Sequence, residues 1–241
     1  MTGPRTAIVL AAGLGTRMRP ITDTLPKPLV EIAGRTLLDR GLDALAGAGV
    51  EKAVVNVHHL GSMIAAHVAG HQKPHIVISD ESARLLDSAG GVVKALPELG
   101  SHPFYILNAD TFWIERGTPE LERLAEKWDD GRMDILLMLA DPANATGHSG
   151  GTDFLLGEDG HLARAGGDPS GLIYGGAGII HPRIFADAKP EPHSLNLYFD
   201  RAIAAGRLFG AAMKGHWITV GTPDAIAPAE AAIQKFSAGA A

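Results

Sequence analysis

The sequence predicts an α/β protein built on one mostly parallel, twisted sheet with helices on both faces. Short apolar runs recur over the first 140 residues, and they alternate with segments whose apolar residues follow helical spacing. Because apolar residues do not simply alternate with polar ones in these runs, each strand is expected to be buried on both faces, as in a parallel sheet. A chain of 241 residues, 46% of them hydrophobic, is long enough to form a single domain of this kind with a substantial core.

The predicted elements follow one another in a regular order. The strands are expected at residues 7–10, 53–57, 75–78, 104–107 and 135–139. Between them, helical spacing places Leu38, Leu42 and Leu45 on one face, and it does the same for Leu121, Leu124 and Trp128.

The second part of the chain has a different texture. Residues 141–178 are rich in Gly, Asp and Ser, with short strand-like pieces at 154–156 and 172–174. We expect loops and hairpins here, lying over the carboxyl end of the sheet, where open α/β sheets bind ligands. An amphipathic helix follows at 223–236, with its apolar face formed by Ile226, Ala229, Ile233 and Phe236.

Composition excludes several classes of protein. No apolar run approaches the roughly 18 residues of a membrane span, and the first residues lack the apolar core of a signal peptide. The absence of cysteine excludes disulfides and thiolate metal sites. These features predict a cytoplasmic protein without a membrane partner. The formal net charge of −6 argues against nucleic acid as a partner.

The stretch after the first strand has the character of a phosphate-binding loop. It begins with the small residues Ala11, Ala12, Gly13 and Gly15, and Arg17 follows them. Glycines allow positive φ angles and let backbone amides approach phosphate oxygens, and an arginine binds two oxygens at once. The spacing fits neither the Gly-x-x-x-x-Gly-Lys loop of P-loop enzymes nor the Gly-x-Gly-x-x-Gly dinucleotide pattern.

Two further residues carry charge at well-defined positions. Lys27 lies between Pro26 and Pro28, which restrict the backbone and hold the ammonium group in one place. Asp110 follows the strand at 104–107, and a carboxylate at that end of a buried strand is suited to Mg²⁺. The same aspartate is also suited to cap a following helix. The residues alone leave both interpretations of Asp110 open.

Six segments in this order resemble the sugar-phosphate nucleotidyltransferases, the enzymes that make nucleotide-sugars. They are residues 10–20, 26–28, 86–91, 108–110, 151–154 and 216–223, and the similarity extends from about residue 6 to about residue 235. The resemblance implies a Rossmann-like fold, with a nucleotide-binding part up to about residue 140 and a sugar-binding part at about 141–222. It is strongest to the uridylyltransferase branch that activates N-acetylmuramic acid 1-phosphate in bacterial cell-wall recycling, which implies UTP as the nucleotide.

The family resemblance also implies roles for individual residues. Arg17, Lys27 and Asp110 are expected to be catalytic, with the lysine neutralising charge at the α-phosphate. Asp153 and Gly176 are expected near the sugar. The nucleotide is expected to contact Leu10, Ala11, Ala12, Gly13, Gly15, Thr16, Arg17, Lys27, Glu81, Ser88, Gly90 and Asn108.

One departure from the family pattern concerns the metal. The family carries a second aspartate in the segment at 216–223, and this chain has Thr219 at that position. We expect Mg²⁺ on Asp110, with Thr219 beside it. The alternatives are a mannose-1-phosphate guanylyltransferase using GTP and a nucleotide-binding sensor without turnover. A monomer or weak homodimer is expected, since no assembly segment is evident.

Overall fold

The computed structural model describes residues 3–237, which form fourteen strands and six helices. The strands are β1 (Thr6–Leu10), β2 (Glu31–Ile32), β3 (Arg35–Thr36), β4 (Lys52–Val57), β5 (His75–Asp80), β6 (Phe104–Asn108), β7 (Thr111–Ile114), β8 (Ile135–Ala140), β9 (Ala145–Thr146), β10 (Phe154–Leu156), β11 (Leu162–Arg164), β12 (Ile173–Ile180), β13 (Leu208–Ala212) and β14 (His216–Thr219). The helices are α1 (Leu37–Gly47), α2 (Gly61–Val68), α3 (Asp87–Leu99), α4 (Glu120–Lys127), α5 (Asn196–Ala204) and α6 (Ile226–Ser237).

Seven strands form the central sheet, in the order β13-β8-β12-β6-β1-β4-β5. Strand β12 runs antiparallel to both of its neighbours, and every other neighbouring pair is parallel. The prediction of a mostly parallel sheet in an α/β fold is therefore confirmed. Because β12 is antiparallel to both β6 and β8, strand β8 and its parallel neighbour β13 run in the same direction as β6. The carboxyl ends of β6, β8 and β13 therefore lie on the same edge of the sheet.

Apolar residues cover the sheet on both faces, as the continuous apolar runs predicted. Helices α1, α2 and α4 contribute leucines and aliphatic residues to one core cluster, while α3 and α5 contribute to the other. In β1, Ala7 and Val9 belong to the first cluster, whereas Ile8 belongs to the second. This alternation follows from the two-residue period of a strand, and it anchors β1 at the centre of the molecule.

Strand β12 corrects the expectation that residues 141–178 form only loops and hairpins. Its eight residues form an inner strand of the central sheet, although the glycines at positions 175, 176 and 178 lower strand propensity. The structure shows why glycine is needed: a Cβ at Gly178 would lie 2.7 Å from the Leu136 carbonyl oxygen. The register also shifts between Tyr174 and Gly178, which bends the strand near the ligand-binding edge.

A small second sheet, in the order β7-β14-β9, carries the C-terminal helix. Helix α6 buries Ala229 and Ala232 in a third cluster with Phe112 and Ile218 of this sheet. Strand β7 follows Asp110 directly, so no helix begins there and the interpretation of Asp110 as a helix cap is wrong. None of the helices within residues 3–237 is both long and apolar enough to cross a membrane.

Candidate functional site

A cleft of about 290 Å³ opens at the carboxyl ends of β1, β4 and β6. Each strand contributes its last or next-to-last residue to the wall: Leu10, Asn56 and Asn108 respectively. We call this cavity the first cleft. The rest of its wall is formed by Ala11, Ala12, Gly13, Lys27, Pro28, Leu85, Asp87, Ser88, Ala109 and Asp110. Segments far apart in the chain therefore meet at the edge where the sequence predicted a ligand.

A buried hydrogen-bond relay holds the start of the glycine loop in place. The Ala11 N–H donates to Asn56 Oδ1 at 2.7 Å, and Asn56 Nδ2 donates to Glu81 Oε1 at 2.7 Å. The other carboxylate oxygen of Glu81 accepts the Leu86 N–H at 2.9 Å. Both Asn56 and Glu81 are almost wholly buried, at 2% and 1% exposure. Glu81 thus lies behind the wall, where it positions the loop and the start of α3.

Asn56 was missed by the sequence reasoning. It interrupts the otherwise apolar run of β4, and a polar side chain in a buried strand needs a hydrogen-bond partner. That signal marks Asn56 as a special residue, but it does not say which segment the amide contacts. The contact with Ala11 is made only when β1 and β4 pair in parallel register.

Glycine is required at position 15 for two reasons. Its φ angle is +62°, and a Cβ there would lie 2.9 Å from Thr22 Cγ2 and 3.2 Å from Lys27 Cβ. Gly15 and Thr16 therefore shape the turn without lining the first cleft. Arg17 also lies outside the wall of the first cleft. Its guanidinium lies beside Gly221, where an added Cβ would be 3.6 Å from Arg17 Nη1.

Lys27 and Asp110 meet at the edge of the first cleft. The Lys27 ammonium donates to Asp110 Oδ2 at 2.6 Å, and the two side chains are 11% and 36% exposed. The lysine follows the extended Pro26 and begins a 3₁₀ turn that buries Pro28 and Leu29. The two prolines restrict the backbone on either side of the lysine. A charge-assisted hydrogen bond of this length holds the ammonium against the carboxylate.

The start of α3 forms another wall, and it is clamped by the segment at 191–195. The Ala89 N–H donates to the His193 carbonyl oxygen at 3.0 Å, and the Leu195 N–H donates to Ser88 Oγ at 3.0 Å. Ser88 lines the first cleft, whereas Gly90 faces this clamp. A Cβ at Gly90 would lie only 2.2 Å from the Glu191 carbonyl oxygen.

Replacing Gly90 with alanine is therefore expected to destabilise the protein by roughly 1–3 kcal/mol, because two backbones must separate to admit the methyl group. Gly47→Ala is the matched control: Gly47 is also helical, and nothing lies within 4 Å of its Cβ position. Urea unfolding measures both variants. A Gly90→Ala midpoint equal to that of Gly47→Ala would contradict the close approach.

A second cavity, of about 210 Å³, adjoins the first cleft and shares Leu10, Ser88 and Asn108 with it. Asp153 lines this second cavity, and its Oδ2 accepts the Tyr174 N–H at 2.8 Å. The Tyr174 hydroxyl is buried without a hydrogen-bond partner among residues 3–237. Burial raises the pKa of this hydroxyl, with a further contribution from Asp153, so it stays protonated as a donor.

Two predicted residues lie near these cavities without lining them. Gly176, at φ +75°, leaves room for Asn108 and Thr111: a Cβ there would lie 2.4 Å from Thr111 Oγ1. Thr219 pairs with Thr111 across β14 and β7, and the Val220 N–H donates to the Asp110 carbonyl oxygen at 3.2 Å. Thr219 thus lies on the strand that pairs with β7, which begins directly after Asp110, and it lies outside the wall of the first cleft.

Residues 7–186 match the family model of the MobA-like NTP transferase domain. The chain belongs to this family. It is an enzyme, a nucleotidyltransferase, and the first cleft contains the glycine loop that suggested a phosphate ligand.

Individual relatives match nearly the whole chain. N-acetylmuramate alpha-1-phosphate uridylyltransferase of Caulobacter vibrioides is 43% identical over 237 residues, covering 96% of this chain and 98% of that protein. The protein of the same name from Neisseria meningitidis serogroup B is 32% identical, covering 90% and 93%. The structure of a UDP-glucose pyrophosphorylase complexed with UDP-glucose superposes with a TM-score of 0.76 at 18% identity, covering 96% and 99%, which shows a shared fold.

Proposed function

We propose that this enzyme transfers the uridylyl group of UTP to N-acetylmuramic acid 1-phosphate, giving UDP-N-acetylmuramic acid and pyrophosphate. The observation that carries the proposal is the meeting of Lys27 and Asp110 at 2.6 Å on the rim of a cleft that begins with a glycine loop. The adjoining second cavity offers space for a sugar. The names of the Caulobacter and Neisseria relatives support the choice of base and sugar.

The proposed reaction requires no general base. An oxygen of the sugar 1-phosphate, already an anion, attacks the α-phosphorus of UTP, and the bond between the α-phosphorus and its bridging oxygen to pyrophosphate breaks. The enzyme must instead bring two polyanions together and stabilise charge on the attacked phosphorus. We assign this role at the α-phosphate to Lys27, and we assign the remaining phosphates to the amides of the loop at 11–15 and to Arg17.

The donor set fits Mg²⁺ as the metal of this reaction. Asp110 provides a hard carboxylate at the cleft rim. Its Oδ2 accepts the hydrogen bond from Lys27, and its Oδ1 takes no part in that bond. Across residues 3–237 no group of three His, Cys, Asp or Glu side chains is close enough to hold a metal alone. Asp110 would therefore hold Mg²⁺ together with nucleotide phosphates and water, and we propose the Thr219 hydroxyl as a further, neutral oxygen donor. Bound Mg²⁺ would neutralise triphosphate charge.

Replacing Thr219 with aspartate is expected to lower the Mg²⁺ concentration needed for half-maximal activity. In this proposal the variant adds a second carboxylate to the metal site, and Mg²⁺ is commonly held by one or two carboxylates plus phosphates. Titration of Mg²⁺ in a pyrophosphate-release assay, and of metal binding by calorimetry, measures the change. Thr146→Asp, on the neighbouring strand β9, is the control. Equal Mg²⁺ requirements in parent and Thr219→Asp would place Thr219 away from the metal.

The proposed function is tested with a panel of nucleoside triphosphates against sugar 1-phosphates, scored by pyrophosphate release. We expect the highest kcat/KM for UTP with N-acetylmuramic acid 1-phosphate. Preference for GTP with mannose 1-phosphate would establish the guanylyltransferase alternative instead. Nucleotide binding without pyrophosphate release for any pair would support a sensor and contradict the proposal.

A further inference from the structure

We propose that Arg164 selects sugar 1-phosphates that carry an acidic substituent, through a charge-assisted hydrogen bond to a carboxylate in the second cavity. The inference rests on the proposed function and extends it to substrate selection. N-acetylmuramic acid differs from N-acetylglucosamine by a lactyl ether that ends in a carboxylate. The question is therefore which group in the second cavity distinguishes the charged sugar from the neutral one.

Arg164 is the only cationic residue among those described as lining the second cavity, and Asp153 is the only carboxylate. The arginine belongs to β11, directly opposite Phe154 in β10. Lys27 and Asp110 line the first cleft but not the second cavity, whereas Arg164 lines the second cavity but not the first cleft. The two cavities adjoin through Leu10, Ser88 and Asn108, so in this proposal the sugar phosphate lies near Lys27 and the sugar occupies the second cavity, which Arg164 lines.

The guanidinium group is held in place before any ligand binds. Its central carbon lies 4.8 Å from the Phe154 ring centroid and 5.9 Å from that of Phe199. Nε donates to Asp200 Oδ1 at 2.8 Å, and Nη2 donates to Asn196 Oδ1 at 2.9 Å. Nη2 also donates to the Asn196 carbonyl oxygen at 3.4 Å. Aromatic stacking and these three hydrogen bonds limit the motion of the long side chain, so less conformational freedom is lost on binding a substrate.

One end of the guanidinium remains available. Nη1 donates to no acceptor within residues 3–237, while the whole side chain keeps 36% of its surface exposed. A guanidinium binds carboxylates strongly because its donors are planar, fixed and permanently charged. The available donors therefore match a carboxylate better than a hydroxyl or an acetamide.

Arg164 also determines the charge balance of the second cavity. Asp153 lies in the wall of this cavity, and Asp200 forms an ion pair with Arg164. Without Arg164, both carboxylates would therefore repel an acidic sugar. Asp153 keeps one oxygen beyond its bond to the Tyr174 N–H, which suits it to accept hydroxyl donors of the sugar. Loss of the guanidinium is thus expected to penalise the acidic substrate far more than a neutral one.

The test compares three acceptor substrates with the same sugar skeleton: N-acetylmuramic acid 1-phosphate, its lactyl carboxamide and N-acetylglucosamine 1-phosphate. In the parent, kcat/KM is expected to fall on the order of 10- to 100-fold from the acid to the carboxamide, the range for a hydrogen bond to a charged group. In Arg164→Gln this acid-to-amide ratio is expected to collapse toward one, through KM. Arg164→Lys, which keeps the charge, is expected to retain part of the ratio.

Arg35→Gln is the matched control, because Arg35 also pairs with an aspartate, Asp43, but lies outside both cavities. Its acid-to-amide ratio should equal that of the parent. Equal losses with all three sugars in Arg164→Gln would overturn the proposal, since the arginine would then serve their common phosphate or the fold. An unchanged ratio would overturn it as well. A parent that rejects N-acetylmuramic acid 1-phosphate with every nucleotide would instead refute the proposed function, before any variant is compared.

Discussion

Replacement of Lys27 with alanine is expected to lower kcat by a factor on the order of 10²–10³, as is typical when a charge that stabilises the transition state is removed. Nucleotide binding should weaken much less, because negative charge at the α-phosphorus grows during the reaction. The ammonium group lies 2.6 Å from Asp110 at the rim of the first cleft, and the proposed reaction assigns it to the α-phosphate. Steady-state kinetics give kcat, and calorimetry gives the dissociation constant of UTP.

Two further variants separate the charge of Lys27 from its packing. Lys27→Met keeps the hydrocarbon stem and is expected to lose as much activity as the alanine variant. Lys52→Ala removes a lysine that pairs with Glu98 away from both cavities, and it should behave like the parent. A fall in kcat of less than about tenfold in Lys27→Met would show that the lysine does not act at the α-phosphate.

Replacement of Asp110 with asparagine is expected to abolish Mg²⁺-dependent activity. The amide keeps the shape of the side chain, and the backbone bond from Val220 to the Asp110 carbonyl oxygen is unaffected. However, the variant removes the carboxylate proposed to hold the metal and also the ion-pair partner of Lys27. Activity and UTP binding measured across a range of Mg²⁺ concentrations test this expectation.

The control for Asp110 is Asp43→Asn, which breaks an exposed ion pair with Arg35 outside both cavities. This variant should keep the Mg²⁺ dependence of the parent. If Asp110→Asn also kept that dependence, the metal would be held by the phosphates alone, and the role proposed for Asp110 would be wrong.

Local motifs in the sequence predicted the central features of the fold. The apolar run that ends at Leu10, the glycines after it and the prolines around Lys27 are each defined by neighbouring residues, and the structure brings them to one edge of the sheet. Their roles in binding and catalysis stay predictions. Family resemblance was needed to connect these segments with Asp110, because spacing along the chain does not encode a contact made between separate strands.

Features that depend on distant backbones were missed or misplaced. Strand β12 is rich in glycine because its backbone passes close to β8, so its sequence is typical of a loop. Glu81 was expected to contact the nucleotide, but its side chain is almost wholly buried and hydrogen-bonds to Asn56 Nδ2 and the Leu86 N–H instead of lining the first cleft. Arg164 has no distinguishing neighbours in the sequence, and the role proposed for it rests on its place in the wall of the second cavity.

Following the oxygens of the sugar 1-phosphate is the most direct test of nucleotidyl transfer by this enzyme. N-acetylmuramic acid 1-phosphate is labelled with ¹⁸O at its non-bridging phosphate oxygens, incubated with UTP, Mg²⁺ and the enzyme, and the products are separated for mass spectrometry. Attack of this phosphate on the α-phosphorus predicts that all of the label is found in UDP-N-acetylmuramic acid, with unlabelled pyrophosphate in equal amount. Label in the pyrophosphate, or UMP as the main product, would contradict nucleotidyl transfer to the sugar phosphate.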